Sequence, residues 1–395
     1  MWKRSVLAVL GLRLTACALD ESWEQAPLEP TPPEREAVRT VGPLQLARHG
    51  HCSARLPDGT VLFVGGTIST AQDVTATTEA YDPVTQRTSF RAPMHVARSG
   101  HECLTLSDGS VLVMSGVTQE ARTVTQVERY EPDADRWTLL APMPEPALGP
   151  ALTQLADGRV LVAGGHARPS DAALFDPLSN TWTRTGALNV GRIGAKAVKL
   201  PDNRVVLVGG FGENNSRRAV ELYTPATGTW SLLPPMPEDS GEPTLALLPD
   251  GRVFVGELDD ARADASAQVY DLATNSWSVV PRARSPHGWE SRLVLVEGQP
   301  VIVGGGSSSS PVLVERFDLA RRRWTTVGQL SHVRYGFTLD VLPDGSVLVA
   351  GGRQLGTGLP YATLDVISSR QEERPPKFLL QVSAMSPSSL RDTHR

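Results

Sequence analysis

Arginine is the residue whose type and spacing most invite chemistry here. Arg48, Arg98, Arg192 and Arg334 each stand eight residues before a recurring leucine, and His287 stands at the same offset. The remaining copies carry Ala147 and Ser240 there. If the copies are set around one axis, these side chains lie at one level. Such a positive funnel would suit a carboxylate, an acidic sugar or an acidic peptide, because guanidinium forks onto carboxylates. For any single arginine the fold role weighs more, a salt bridge to a carboxylate of its own repeat. Residues outside the repeat pattern carry more functional weight. The stretch "FGENNSRR" (Phe211 to Arg218) is polar with an aromatic lead, and its Phe211 and Asn214 are candidate sugar or peptide contacts. Trp289 replaces a usual glycine and serves as a stacking platform or as a plug. Tyr335 and His49 flank the same level, and His166 begins a loop after Gly165.

The usual catalytic and metal patterns are missing from the sequence. There is no Cys-x-x-Cys, no His-Glu-x-x-His, no phosphate loop and no Gly-x-Ser-x-Gly elbow. His51 and His101 sit at equivalent places in neighbouring repeats, but Pro150, Ala195, Pro243, Glu290 and Phe337 occupy that place elsewhere. A structural role outweighs a metal there. No catalytic residue, metal ligand or cofactor is assigned.

The elements that position these residues come from a repeat. "LPDGTVLFVGG" (Leu56 to Gly66) returns as "LADGRVLVAGG" (Leu155 to Gly165) and "LPDGSVLVAGG" (Leu342 to Gly352). With weaker copies the leucine recurs at 56, 106, 155, 200, 248, 295 and 342. Self-similarity at this period signals a repeat architecture. In five of the seven copies two apolar runs flank an Asp-Gly pair, which supplies the positive φ of a tight hairpin. An aromatic follows at Tyr81, Tyr130, Phe175, Tyr223, Tyr270 and Phe317, and seven residues later five copies have Trp. Four short strands per unit is the pattern of a propeller blade.

The Gly-Gly after the second strand, "ERYEPDADRW" (Glu128 to Trp137) and the "APM" to "RSGH" link (Ala92 to His101) resemble the kelch repeat. The resemblance covers residues 37–368 and implies an all-β, seven-bladed β-propeller. It also implies that the links carrying the arginines, with the loops after Gly-Gly, form one face around the central channel.

The flanks show how the ring closes. "VGPLQLARHG" (Val41 to Gly50) matches "VGQLSHVRYG" (Val327 to Gly336), so residues 37–42 read as a fourth strand with no three before it. The seventh copy stops after "ATLDVI" (Ala362 to Ile367) without its Trp. The N-terminal strand therefore completes the last blade, which hides both open edges.

Residues 1–16 resemble a bacterial lipoprotein signal peptide, with a basic start, a short apolar run and the box Leu14-Thr15-Ala16-Cys17. Arg13 interrupts the apolar run. The resemblance implies lipidation at Cys17, residues 17–36 as an acidic, proline-rich tether, and placement in the cell envelope or secretion. The membrane would be met only through the lipid. Loss of residues 1–16 would take the net charge from −5 to −8, and an acidic protein is a poor partner for nucleic acid. Residues 369–395 read as a disordered tail. Cys52 and Cys103 lie four and three residues before their leucines, so they should point to opposite faces and remain buried free thiols.

Two functions fit. The first is an envelope-anchored module that binds a glycan, a peptide or an envelope protein. The second is an enzyme. Some kelch propellers resemble copper oxidases of the galactose oxidase type, which would need a Tyr–Cys pair and two His near the axis. Others act on sialic acid as mutarotases, for which Arg192, Arg334, His287 and Glu290 would serve.

Overall fold

The structure, a computed structural model, describes residues 38–256, 267–281, 283–284, 287, 291–304 and 312–368. The expectations for Cys17, the tether, Trp289, Glu290 and the tail fall outside these residues.

Val/Leu-rich runs of four to seven residues, too short for helices and rich in β-branched side chains, form the second strand of each repeat. Among the described residues the strands make seven four-stranded antiparallel sheets. Six sheets are sequential meanders, spanning residues 52–91, 99–140, 151–184, 196–232, 244–279 and 292–329. We number them as blades one to six. The seventh takes Thr338–Val341, Val347–Ala350 and Leu364–Ile367, and then Val38–Val41 as its outer strand. That strand runs antiparallel to Leu364–Ile367, with Val38 opposite Ile367 and Val41 opposite Leu364. The expected closure is found. No helix among the described residues is long and apolar enough to cross a membrane.

Each Val/Leu second strand is buried on both faces, as Val61–Val64 and Val205–Val208 show. It lies in the middle of the blade, between neighbouring blades. The aromatic and the Trp stack on adjacent strands, with centroids 4.9 Å apart for Tyr223 and Trp230. The indole N–H then reaches the preceding link, as from Trp230 to the Gly186 carbonyl at 3.0 Å and from Trp277 to that of Pro234 at 2.8 Å. The first blade has Thr88 there, whose hydroxyl bonds the Pro43 carbonyl at 2.8 Å.

The hairpins differ from expectation in one respect. Both positive angles of the two-residue turn occur at Glu297 (φ 51) and Gly298 (φ 74) of the sixth blade. In the first blade Gly59 alone is left-handed, and Asp58 accepts the Thr60 amide at 2.9 Å. Its Asp therefore serves as a turn cap, not as a second positive-φ residue.

Candidate functional site

The link into each blade carries the arginine register, where the structure shows the salt bridge expected of each single arginine and not the positive funnel. Arg48, Arg98, Arg192 and Arg334 have no exposed surface. Arg48 bonds the Glu79 carboxylate at 2.7 Å, and Arg98 bonds Glu128 at 2.8 Å. Arg192 meets Glu221, and Arg334 meets Asp365. His287 takes the same place, with Nε2 2.9 Å from Glu315 and Nδ1 3.0 Å from the Gly304 carbonyl. These groups point into their own blades, so these four arginines form no guanidinium ring facing the channel. Burial pulls each guanidinium below its ordinary range while its carboxylate opposes that shift.

The physical reason is a carboxylate at one third-strand register position, Glu79, Glu128, Glu221 and Glu315 two residues before the aromatic and Asp365 two before Ile367. In the fourth blade the Glu221 carboxylate accepts the amides of Asn189 and Val190 at 2.8 and 3.1 Å, besides Arg192. Arg192 also donates to the Gly209 and Ala219 carbonyls at 3.3 and 2.7 Å. One buried ion pair thus ties the link to the second and third strands, with its remaining donors and acceptors satisfied. This is a pin for the link. The acids stood in the repeat register, as in "VELYT" and "TEAYD", so their spacing could have revealed them.

The course of the link also explains Gly-Gly. A Cβ on Gly65 would lie 2.7 Å from the Arg98 carbonyl, and one on Gly164 would lie 2.5 Å from that of Arg192. The next blade's link closes on the first glycine. The second glycine's amide takes that carbonyl, as from Gly66 to Arg98 at 2.9 Å.

Residues just beyond the pins reach the loop face. Bridges join His49 to Thr67, Ile193 to Phe211 and Tyr335 to Arg353. Burial and the nearby Arg353 charge lower the His49 pKa to about 4, so its ring is neutral near pH 7. Phe211 is half-buried, its ring packed where a Cβ on Gly241 would sit and its face met by the Arg217 guanidinium at 4.9 Å. It anchors the loop. The exposed tip is Gly212 to Asn215, with Asn214 and Asn215 left-handed at φ 54 and 58. Buried Ser216 closes it through its hydroxyl to the Gly210 carbonyl at 3.0 Å. Tyr335 is half-buried and its backbone pairs with Arg353. Phe211 and Asn214 therefore share one loop, whereas Tyr335 belongs to the link into the seventh blade. Between the inner strands of blades two and four, Glu102 meets Lys196 at 3.1 Å.

The cysteine expectation is overturned. Cys52 and Cys103 form a disulfide, with Cα atoms 5.7 Å apart. Opposite parity does not separate residues of neighbouring blades. One face of each blade meets the opposite face of the next, so opposite parity brings the two together. His101 lies with them, all three ligand atoms within 4.8 Å of one another. With the sulfurs joined, the trio offers one imidazole. Burial lowers the His101 pKa to about 3.

The Kelch motif family pattern matches residues 200–237. No curated relative matches the sequence. Among solved structures, a fungal alcohol oxidase with catalytic diversity among the AA5 family, in complex with copper, is similar at TM-score 0.71 and 17% identity. The similarity covers 84% of this chain and 76% of that one. At that identity the likeness shows the fold alone. A copper site built on a Tyr–Cys pair does not fit the described residues. Cys52 and Cys103 are bound to each other, and Tyr81, Tyr130, Tyr223 and Tyr270 are core residues.

Proposed function

Taking the chain as a kelch-repeat β-propeller, we propose that it works as a binding module anchored in a cell envelope through Cys17. It presents its link-and-loop face to a glycan, a peptide or an envelope protein. The observation that carries the reading is the preorganised loop at residues 211–218. Its anchor is aromatic, its closure is a buried hydroxyl, and its exposed tip is polar. A loop already held in shape loses little entropy on binding. The acidic-ligand preference loses its support, because the arginines behind it are spent within the blades. Arg192 and Arg334 have no surface from which to meet a substrate carboxylate, which weighs against the mutarotase reading.

A thermal-shift screen of the full chain against neutral sugars, acidic sugars and short peptides tests this. A shift abolished by Glu213→Ala with Asn214→Gly is expected, since glycine keeps the left-handed backbone. Turnover of an alcohol or of sialic acid would overturn it. Anchoring is checked by labelled palmitate, whose incorporation should vanish in Cys17→Ser.

A further inference from the structure

The third blade lacks the pin on both sides. At the place of Arg192 it has Ala147, and at that of Glu221 it has Ala173. A cavity of about 200 Å³ lies there, walled by Ala147, Val162, Gly164, Ala173 and Trp182. Its position is that of the missing pair.

What remains around it is the cation-accepting half of the pin. In the pinned blades the arginine donates to two backbone carbonyls. In the first they belong to Gly65 and Thr77, at 2.6 and 3.0 Å. The third-blade counterparts, by register, are Gly164 and Asp171, which both line the cavity. Their backbone is in the same arrangement. The Gly164 amide meets the Asp171 carbonyl at 2.9 Å, as that of Gly209 meets Ala219 at 3.0 Å. The anion-accepting half is damaged. Of the two amides that hold the carboxylate elsewhere, such as Asn189 and Val190, the first is replaced by Pro144, which has no N–H.

The mouth adds carboxylates. Glu145 and Asp171 line it, bridged by Arg168 at 3.3 and 3.9 Å, with all three side chains about half exposed. Exposed pairs of this kind are weak, so an entering cation can displace Arg168. Arg184 lines the cavity too and is exposed. We propose that this cavity binds a guanidinium group on an alkyl stem, of the kind an arginine side chain presents. The alkyl stem lies along Val162 and Trp182, the guanidinium donates to the Gly164 and Asp171 carbonyls, and Glu145 and Asp171 balance its charge. The site is separate from the 211–218 loop and does not rest on it.

Titration calorimetry of the full chain with n-propylguanidine tests the proposal, with n-butylamine and n-propylurea as comparators. The guanidine should bind with a dissociation constant on the order of a millimolar. The comparators should bind at least tenfold more weakly. The double variant Ala147→Arg/Ala173→Glu rebuilds the pin and should abolish binding while melting no lower than the parent. Should that variant fail to fold, Ala147→Leu fills the same space without charge and should also block the ligand. Glu213→Ala should leave guanidine binding unchanged, which separates this site from the loop. No heat at tens of millimolar would overturn the proposal. So would equal binding of the urea, or undiminished binding in both filled variants.

Discussion

The third and fourth blades are neighbours with the same strands, the same glycine pair and the same stacked aromatic and Trp, 4.8 and 4.9 Å apart. They differ in whether a charged pair fills the link. In the fourth, Arg192 and Glu221 are fully buried and each satisfies several backbone groups of the other element. In the third, Ala147 and Ala173 leave space and the link keeps its backbone course. Its turn keeps the same bonds, within the blade from the Gly164 amide to Asp171 and to the next link from Gly165 to the Arg192 carbonyl at 3.0 Å. The pin is therefore a local reinforcement that can be removed as a unit. A blade survives losing both charges, which is what the energetics of buried ion pairs lead one to expect.

The largest test of this contrast is Arg192→Ala. It strands the Glu221 carboxylate in the interior, and urea unfolding should show a loss of about 3–5 kcal/mol. Adding Glu221→Ala should recover much of that, since the fourth blade then imitates the third. A double variant no more stable than the single would break the comparison. Next in size is the staple between the first two blades. Replacing Cys52 and Cys103 together by serine should cost about 2–4 kcal/mol, and thiol reductant should destabilise the parent but not this variant.

Carboxylates of the seventh blade sharpen the same point. Asp365 is paired with Arg334, whereas the Asp340 Oδ2 is buried with no hydrogen-bond partner. Burial raises the Asp340 pKa to about 6, against a model-peptide value of 3.8. A raised carboxyl pKa means that the native state holds its proton more tightly. The ionised form therefore opposes folding above pH 6, and the penalty fades as pH falls from 6 towards 4. Asp340→Asn should accordingly stabilise the protein by about 2 kcal/mol at pH 8 and by little at pH 4. Asp365→Asn should destabilise it. Melting curves across that range decide both. The smallest effect is local. Amides of Glu145 and Leu148 should exchange hydrogen about tenfold faster than those of Val190 and Ile193, because no ion pair holds their link.

Much of the site was legible in the register. The acids two residues before Tyr81, Tyr130, Tyr223 and Ile367 mark the partners of the arginines, and the paired appearance of Ala147 and Ala173 marks the gap. The funnel reading failed because it set the arginines at one level without the buried acids that draw them inward. A side chain next to a channel in sequence order still points wherever its strongest partner lies. The cysteines misled for a geometric reason, since strand alternation gives a face within one blade and not what that face meets.

By itself the sequence determined the blade count, the strand order within a blade and the closing strand. These depend on local periodicity and on contacts between adjacent segments, which every repeat restates. The tertiary structure alone decided which groups of different elements meet. It put the arginines inside, joined Cys52 to Cys103 and opened a cavity beside Ala147. The disulfide follows from how one blade's face lies against the next. The arginines and the cavity follow from what each link meets inside its own blade, where burial selects partners by distance and charge whatever their separation along the chain.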